Sequence, residues 1–222
     1  MTGTIRTWGE LDSDGALQES VAAVAGDDRA NFLRKAAFGG AAVLGAGGLL
    51  GALPSIASAT SIPKSDVAIL NFALTLEYLE AEFYAGARKN AGIFKGDTRN
   101  FVDVVARHEA AHVAFLKKAL GSAAIKKPTF DFKGTNNQNQ KTFEATAQLL
   151  EDTGVSAYLG QAPLIKTKSI LAAAGSILTV EARHAAWMRH IRQVAPAPAV
   201  FDAAKTKAQI LAAVTGTGFI TG

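Results

Sequence analysis

Ile170-Leu-Ala-Ala-Ala174-Gly-Ser-Ile177-Leu-Thr-Val-Glu181-Ala-Arg-His184-Ala-Ala-Trp-Met188-Arg-His-Ile191 is the stretch that decides the fold. Ile170, Ala174, Ile177, Met188 and Ile191 follow an alternating four–three spacing, the buried seam of a bundle helix. The two positions that complete the series are Glu181 and His184. A carboxylate and an imidazole therefore stand where the seam asks for apolar side chains. A second stretch repeats the pattern, with Val105 and Leu116 flanking Glu109 and His112. Residues three apart on a helix share a face, so each Glu-x-x-His can grip one metal ion.

Two other stretches each add a carboxylate. In Leu76-Glu77-Tyr-Leu-Glu-Ala-Glu-Phe-Tyr84 a Glu precedes a Tyr by seven residues, and Leu150-Glu151-Asp-Thr-Gly-Val-Ser-Ala-Tyr158 repeats that spacing. The chain is an internal duplication: Glu-x6-Tyr then Glu-x-x-His, twice over. Nine Glu and four His would give about 0.2 Glu-x-x-His pairs by chance. Two occur, in register with the second motif, so the pattern is a signal. All four motif carboxylates lie near the middles of their helices and can meet at one height. Carboxylates converging in an apolar core cost several kcal/mol each when unpaired. Divalent cations offset that charge, whereas apolar packing cannot. Imidazole with hard oxygen ligands suits iron or manganese better than a thiolate-preferring metal.

From Ser65 onward the periodicity is helical and strand signals are scarce. The spacing predicts helices at about 66–89, 97–120, 142–159 and 166–194, with a short last helix at 206–214. The last has capping-box spacing between Thr206 and Gln209. The first and second helices are joined by a short turn, as are the third and fourth, so each pair is antiparallel. The second connection, Ser122–Lys141, is about 20 residues and reaches about 66 Å when extended. The second helix is roughly 36 Å long. The connection can therefore cross the whole bundle and start the third helix parallel to the second. Phe130 and Phe132 argue that part of it packs. The fold class is all-α, a four-helix bundle with one long crossover.

Composition narrows the function. The chain has 222 residues, 49% of them hydrophobic, a net charge of +4 and no cysteine. Disulfides, thiolate nucleophiles, iron–sulfur centres and Cys-based zinc sites are excluded. The basic residues are scattered without interleaved aromatics, so no nucleic-acid surface is expected.

Residues 1–59 are a different kind of sequence. Residues 1–28 are acidic, with Arg6 alone against Glu10, Asp12, Asp14, Glu19, Asp27 and Asp28. Arg29-Ala-Asn-Phe-Leu-Arg34-Lys35 then leads into the uncharged stretch 36–53, followed by Ala57-Ser58-Ala59. A basic flank, an apolar stretch and an A-x-A site read as an export signal. The flank resembles a twin-arginine signal, but Ala30 stands where the second Arg belongs. The alternative is an uncleaved anchor contacting the membrane through 36–53. An exported protein of the periplasm or cell envelope is expected, with 60–222 as its folded domain.

The paired motifs resemble the ferritin-like superfamily, and the wording around Glu77 resembles the ferritin-like-domain branch that includes plant desiccation-related proteins. The resemblance covers about 65–194. It implies two metal ions, iron with manganese as the variant. Glu77 and Glu151 would be terminal ligands, Glu109 and Glu181 would bridge, and His112 and His184 would each bind one ion. The same six residues would be the catalytic set. Tyr84 and Tyr158 would donate hydrogen bonds to carboxylates. Glu80 and Glu82 are expected to be solvated or to sit beside the ligands, with Glu80, near the seam of the first helix, as an alternative ligand; His108, adjacent to Glu109, is expected at the surface or a boundary, with lining the site as the alternative. At Gly154, one turn after Glu151, a side chain would crowd the ions or a neighbouring helix. The implied activity is oxidoreductase chemistry on O2 or peroxide, of ferroxidase or peroxidase type, in stress protection. The alternative is a non-catalytic envelope or desiccation protein whose metals hold the bundle together. A small homo-oligomer is expected rather than a closed shell, because each subunit of a shell would add a membrane-seeking arm. If the signal is cleaved, the mature protein begins at Thr60. N-terminal sequencing of protein from its host checks this, and a start at Met1 or Thr2 in membrane fractions supports the anchor instead.

Overall fold

The computed structural model describes residues 62–222, and the export signal and anchor expected before them lie outside the described residues. Pro63 opens α1 (Lys64–Lys89); its fixed φ suits a helix start and its missing N–H costs nothing there. α2 (Asp97–Leu120), α3 (Gln140–Gln161), α4 (Lys168–Ile191) and α5 (Lys207–Thr217) follow. Among the described residues there is no strand, only a single bridge between Phe130 and Ile220. No described helix is long and apolar enough to cross a membrane.

Side-chain pairs fix the helix directions. Tyr84 of α1 meets Glu151 of α3, and Tyr158 of α3 meets Glu77 of α1. Moving up one helix means moving down the other, so α1 and α3 are antiparallel. Since α1 and α2 are antiparallel too, α2 and α3 run parallel. The helix starts agree: Thr98 Oγ1 donates to Glu144 Oε1 at 2.6 Å, and Gln140 Nε2 donates to Thr98 Oγ1 at 3.0 Å. The segment between α2 and α3 therefore travels the length of the bundle, the ferritin-like connection.

That crossover is packed. Phe132 is buried edge-on against Phe83, with ring centroids 5.4 Å apart. Asn136 is buried and donates from Nδ2 to the Phe83 carbonyl at 3.2 Å. The C-terminal residues hold the outer side. Thr129 donates its N–H to Gly222 at 2.7 Å, Thr221 to Thr129 at 3.0 Å, and Asp131 to Phe219 at 2.8 Å.

Several helix boundaries differ from the sequence expectation, most clearly those of α3 and α4. α3 starts two residues early, at Gln140, because Asn139 caps it by accepting from the Thr142 N–H at 3.1 Å. It also runs through Gly160, which was expected to stop it. A Cβ on Gly160 would lie 1.8 Å from the Lys205 carbonyl oxygen, and Lys205 donates its N–H to Ser156 at 3.1 Å. The glycine admits the chain leading into α5, which then buries Ile210 and Val214 and closes its first turn with the Thr206–Gln209 capping box. α4 is shorter at both ends than 166–194. Gln193 adopts φ +57° and turns the chain after its last residue, Ile191.

At the start of α4 the buried carboxylate of Asp66 accepts from the N–H groups of Lys166 at 3.1 Å and Thr167 at 2.9 Å. This ties α1 to the entry of α4. Two apolar groups complete the core. Phe83, Phe101, Phe143 and Met188 lie toward one end of the bundle, and Leu74, Leu116, Leu120, Ile170 and Ile177 toward the other. Between them is a layer that is not apolar.

Asp66→Ala would strand two N–H groups that now meet a charged acceptor. Hydrogen bonds to charged groups are worth roughly 1.5–3 kcal/mol. The melting temperature should fall by about 4–8 °C in a domain of this size. Asp66→Asn, which keeps one carbonyl oxygen, should lose less; thermal unfolding followed by circular dichroism checks both.

Candidate metal centre

The middle layer holds Glu77, Glu109, Glu151 and Glu181, all with no exposed surface, and His184, which is buried. His112 is partly buried. Each helix of the bundle carries one of the carboxylates at mid-length, because the seam position there is Glu instead of an apolar residue. The six residues singled out from the sequence converge in one cluster. Two overlapping sets of groups arise, in each of which the ligand atoms lie within 4.8 Å of one another. One is Glu77, Glu109, His112 and Glu181; the other is Glu109, Glu151, Glu181 and His184. Glu109 and Glu181 belong to both.

The histidines point Nδ1 inward. His112 Nδ1 lies 3.2 Å from Glu77 Oε2, 3.1 Å from Glu109 Oε2 and 3.1 Å from Glu181 Oε1. His184 Nδ1 lies 3.2 Å from Glu109 Oε1 and 3.2 Å from Glu151 Oε2. One N–H cannot serve three acceptors. Glu109 Oε1 and both oxygens of Glu181 are buried without a hydrogen bond. Three of the four oxygens of the two shared carboxylates are thus left unpaired. A donor set of hard oxygens and imidazole nitrogens with unpaired buried anions fits divalent cations of the iron or manganese kind.

Two tyrosines brace the outer carboxylates crosswise. Tyr84 Oη donates to Glu151 Oε1, and Tyr158 Oη donates to Glu77 Oε1 at 2.5 Å. Burial, then the neighbouring carboxylate, pushes both phenols well above their ordinary range, so both remain donors.

Burial also sets the carboxylates. It raises Glu77 to about 7, and raises Glu181 well above the usual range with help from the Glu109 charge. Glu109 goes the other way: burial raises it, but the imidazoles of His112 and His184 beside it outweigh that and hold it far below. Burial lowers the imidazoles, yet the surrounding carboxylates win. His184 rises to about 11, and His112 is also held protonated far above its ordinary value. Without metal, protons on the histidines stand in for cations.

Two residues beyond the six lie near the cluster. Glu80 is 3% exposed, whereas Glu82, two residues on, is half-buried and meets Lys127 Nζ at 2.6 Å. His108 is half-buried, and its Nδ1 lies 2.9 Å from His184 Nε2 with the rings stacked at 5.1 Å. It holds the outer nitrogen of His184 so that Nδ1 faces the carboxylates. The only sequence signal for Glu80 is its position beside the apolar seam of α1. For His108 the only signal is its adjacency to Glu109.

A layer of carboxylate and imidazole ligands inside a crossover four-helix bundle defines a class of bundle proteins built around a metal site. The ferritin-like domain family matches residues 65–194, and the chain belongs to that family. No curated protein matches the sequence.

Metal must displace the imidazole protons, because only neutral nitrogen coordinates. Uptake at pH 7 should therefore release protons, and affinity should rise with pH. Calorimetric titration of the apo protein in buffers of different ionisation enthalpy measures the number released. A buffer-independent heat would mean that the histidines do not bind the metal.

Proposed function

We propose that the chain is an exported dinuclear-metal protein, with two iron ions (manganese as the variant) reacting with O2 or peroxide in oxidative-stress protection. The observation that carries this reading is the pair of four-group sets sharing Glu109 and Glu181, three of whose four oxygens have no hydrogen-bond partner. Glu77 and His112 would hold one ion, Glu151 and His184 the other, and Glu109 and Glu181 both.

Two redox-active ions held side by side supply two electrons at one place. The protein's own groups do the rest. Tyr84 and Tyr158 fix the orientation of Glu151 and Glu77 and keep their protons, so neither outer carboxylate swings away. His108 fixes the ring of His184. The apolar groups on both sides of the layer limit bulk water at the carboxylates, which strengthens every charge interaction there. Tyr84 and Tyr158 are also the protic groups closest to the outer ligands, available to hold a proton beside the reacting centre.

Anaerobic Fe(II) loading of purified protein should give about two ions per chain. Addition of O2 or H2O2 should then give turnover measured by oxidant consumption. Two filled sites with no turnover would favour a structural metal in a non-catalytic stress protein. Glu181→Ala should lower bound metal to at most one ion per chain and reduce the metal-linked rise in melting temperature. The metal-free variant should be no less stable than the metal-free parent, because Glu181 is a fully buried carboxyl with neither oxygen hydrogen-bonded, held well above its usual range by burial and the Glu109 charge. Two retained ions and an unchanged melting curve would show that Glu181 is not shared.

A further inference from the structure

The two halves of the duplicated site are filled differently. Three residues after Glu77 stands Glu80, and three residues after Glu151 stands Gly154, where an added Cβ would lie 3.3 Å from Glu80 Oε1. A larger difference surrounds the two tyrosines. Tyr84 is walled by phenyl rings, with centroids 5.2 Å away at Phe83, 5.9 Å at Phe101 and 6.0 Å at Phe143. The repeat gives each ring a counterpart in the half around Tyr158. Ala157 precedes Tyr158 as Phe83 precedes Tyr84. Ala173 precedes Glu181 by eight residues, as Phe101 precedes Glu109, and Ile69 precedes Glu77 by eight, as Phe143 precedes Glu151. Three rings are exchanged for two methyl groups and one Ile side chain. The packing does not take up all of the difference: a cavity of about 20 Å³ lies beside Tyr158, with Ala73, Leu76, Ala157 and Ala174 in its wall.

Only apolar surface faces this cavity. Tyr158 presents ring carbon to it, while its hydroxyl donates to Glu77 Oε1 at 2.5 Å. A water there would find none of the polar partners it needs, so the cavity is dry, and its size suits one small apolar molecule. Of its lining residues Ile69 and Ile165 are partly exposed and the rest are buried. Its outer side therefore lies between α1 and the turn into α4. Its inner side is the ring that braces Glu77. We propose that the cavity is a binding site for one molecule of a small apolar gas, O2 in the chemistry proposed above, which approaches the carboxylate layer from the Tyr158 side. The role for O2 rests on the two-ion reading; the gas site itself does not. Peroxide gains nothing from the cavity, because a hydrogen-bonding molecule is costly to bury without partners. Around Tyr84 the matching space is taken by phenyl rings.

Xenon is the probe for the site, because it is apolar and enters dry cavities. Under xenon pressure the full-length metal-free protein should show shifted methyl resonances for Leu70, Leu76 and Ile165. Those of Val102 and Val105, which pack in the same apolar group as Tyr84, should not move. Ala174→Val should abolish the shifts; it installs the residue that Val102 supplies at the matching position of the other half. In the Fe(II)-loaded protein it should raise the O2 concentration for half-maximal turnover several-fold, with the maximal rate and the response to H2O2 unchanged. Ala157→Val, which fills the same cavity from α3, should act in the same way. Circular dichroism shows that each variant is folded; if one is not, the other decides. A parent protein without xenon-induced shifts would overturn the site. Shifts lost in the variants with no change toward O2, or with equal change toward O2 and H2O2, would overturn its role in O2 supply. A parent that shows the xenon shifts but turns over neither oxidant would show the reading of the metal chemistry to be wrong, with the gas site upheld.

Discussion

The burial of four carboxylates at one height governs this structure. Glu77, Glu109, Glu151 and Glu181 have no exposed surface and lie between two apolar groups of the core. Charge of one sign in such a place is tolerable only if something positive sits among it. The bundle supplies two imidazoles, and both are held protonated by their surroundings. Even so, Glu109 Oε1 and both oxygens of Glu181 remain without a hydrogen bond. The protein by itself does not complete its own core.

The rest of the architecture serves that layer. Parallel α2 and α3 bring Glu109 and Glu151 to the same level, and this requires a crossover as long as the bundle. The crossover is held on the inside by Phe132 and Asn136 and on the outside by the last residues of the chain. Asp66 fixes where α4 begins, and hence the height at which Glu181 and His184 arrive.

Much of this could be read in the sequence because helical periodicity converts spacing into direction. Glu181 and His184 break an apolar seam at the two positions where the break is most expensive, and that is why they stood out. Tyr84 and Tyr158 followed from the repeat. The helix ends were less legible. Gly160 has the local character of a stop, but a tertiary contact with Lys205 decides its role. Nearness to the apolar seam of α1 marked Glu80 off from Glu82 only weakly. What separates them is a gap on another helix, at Gly154. His108 is likewise defined only by a neighbour 76 residues away in sequence.

The crosswise tyrosine bonds carry an ancestral implication. Tyr84 belongs to the half that supplies Glu77, yet it holds Glu151; Tyr158 belongs to the other half and holds Glu77. Neither hairpin is self-sufficient, but two identical hairpins related by a two-fold axis would satisfy every one of these contacts reciprocally, as an isologous dimer does. The crossover is then a tether joining what could once have been separate subunits. Fusion frees the halves from identity: a residue can change on one side of the axis without changing on the other. Glu80 opposite Gly154 is a pairing that no symmetric dimer could have encoded.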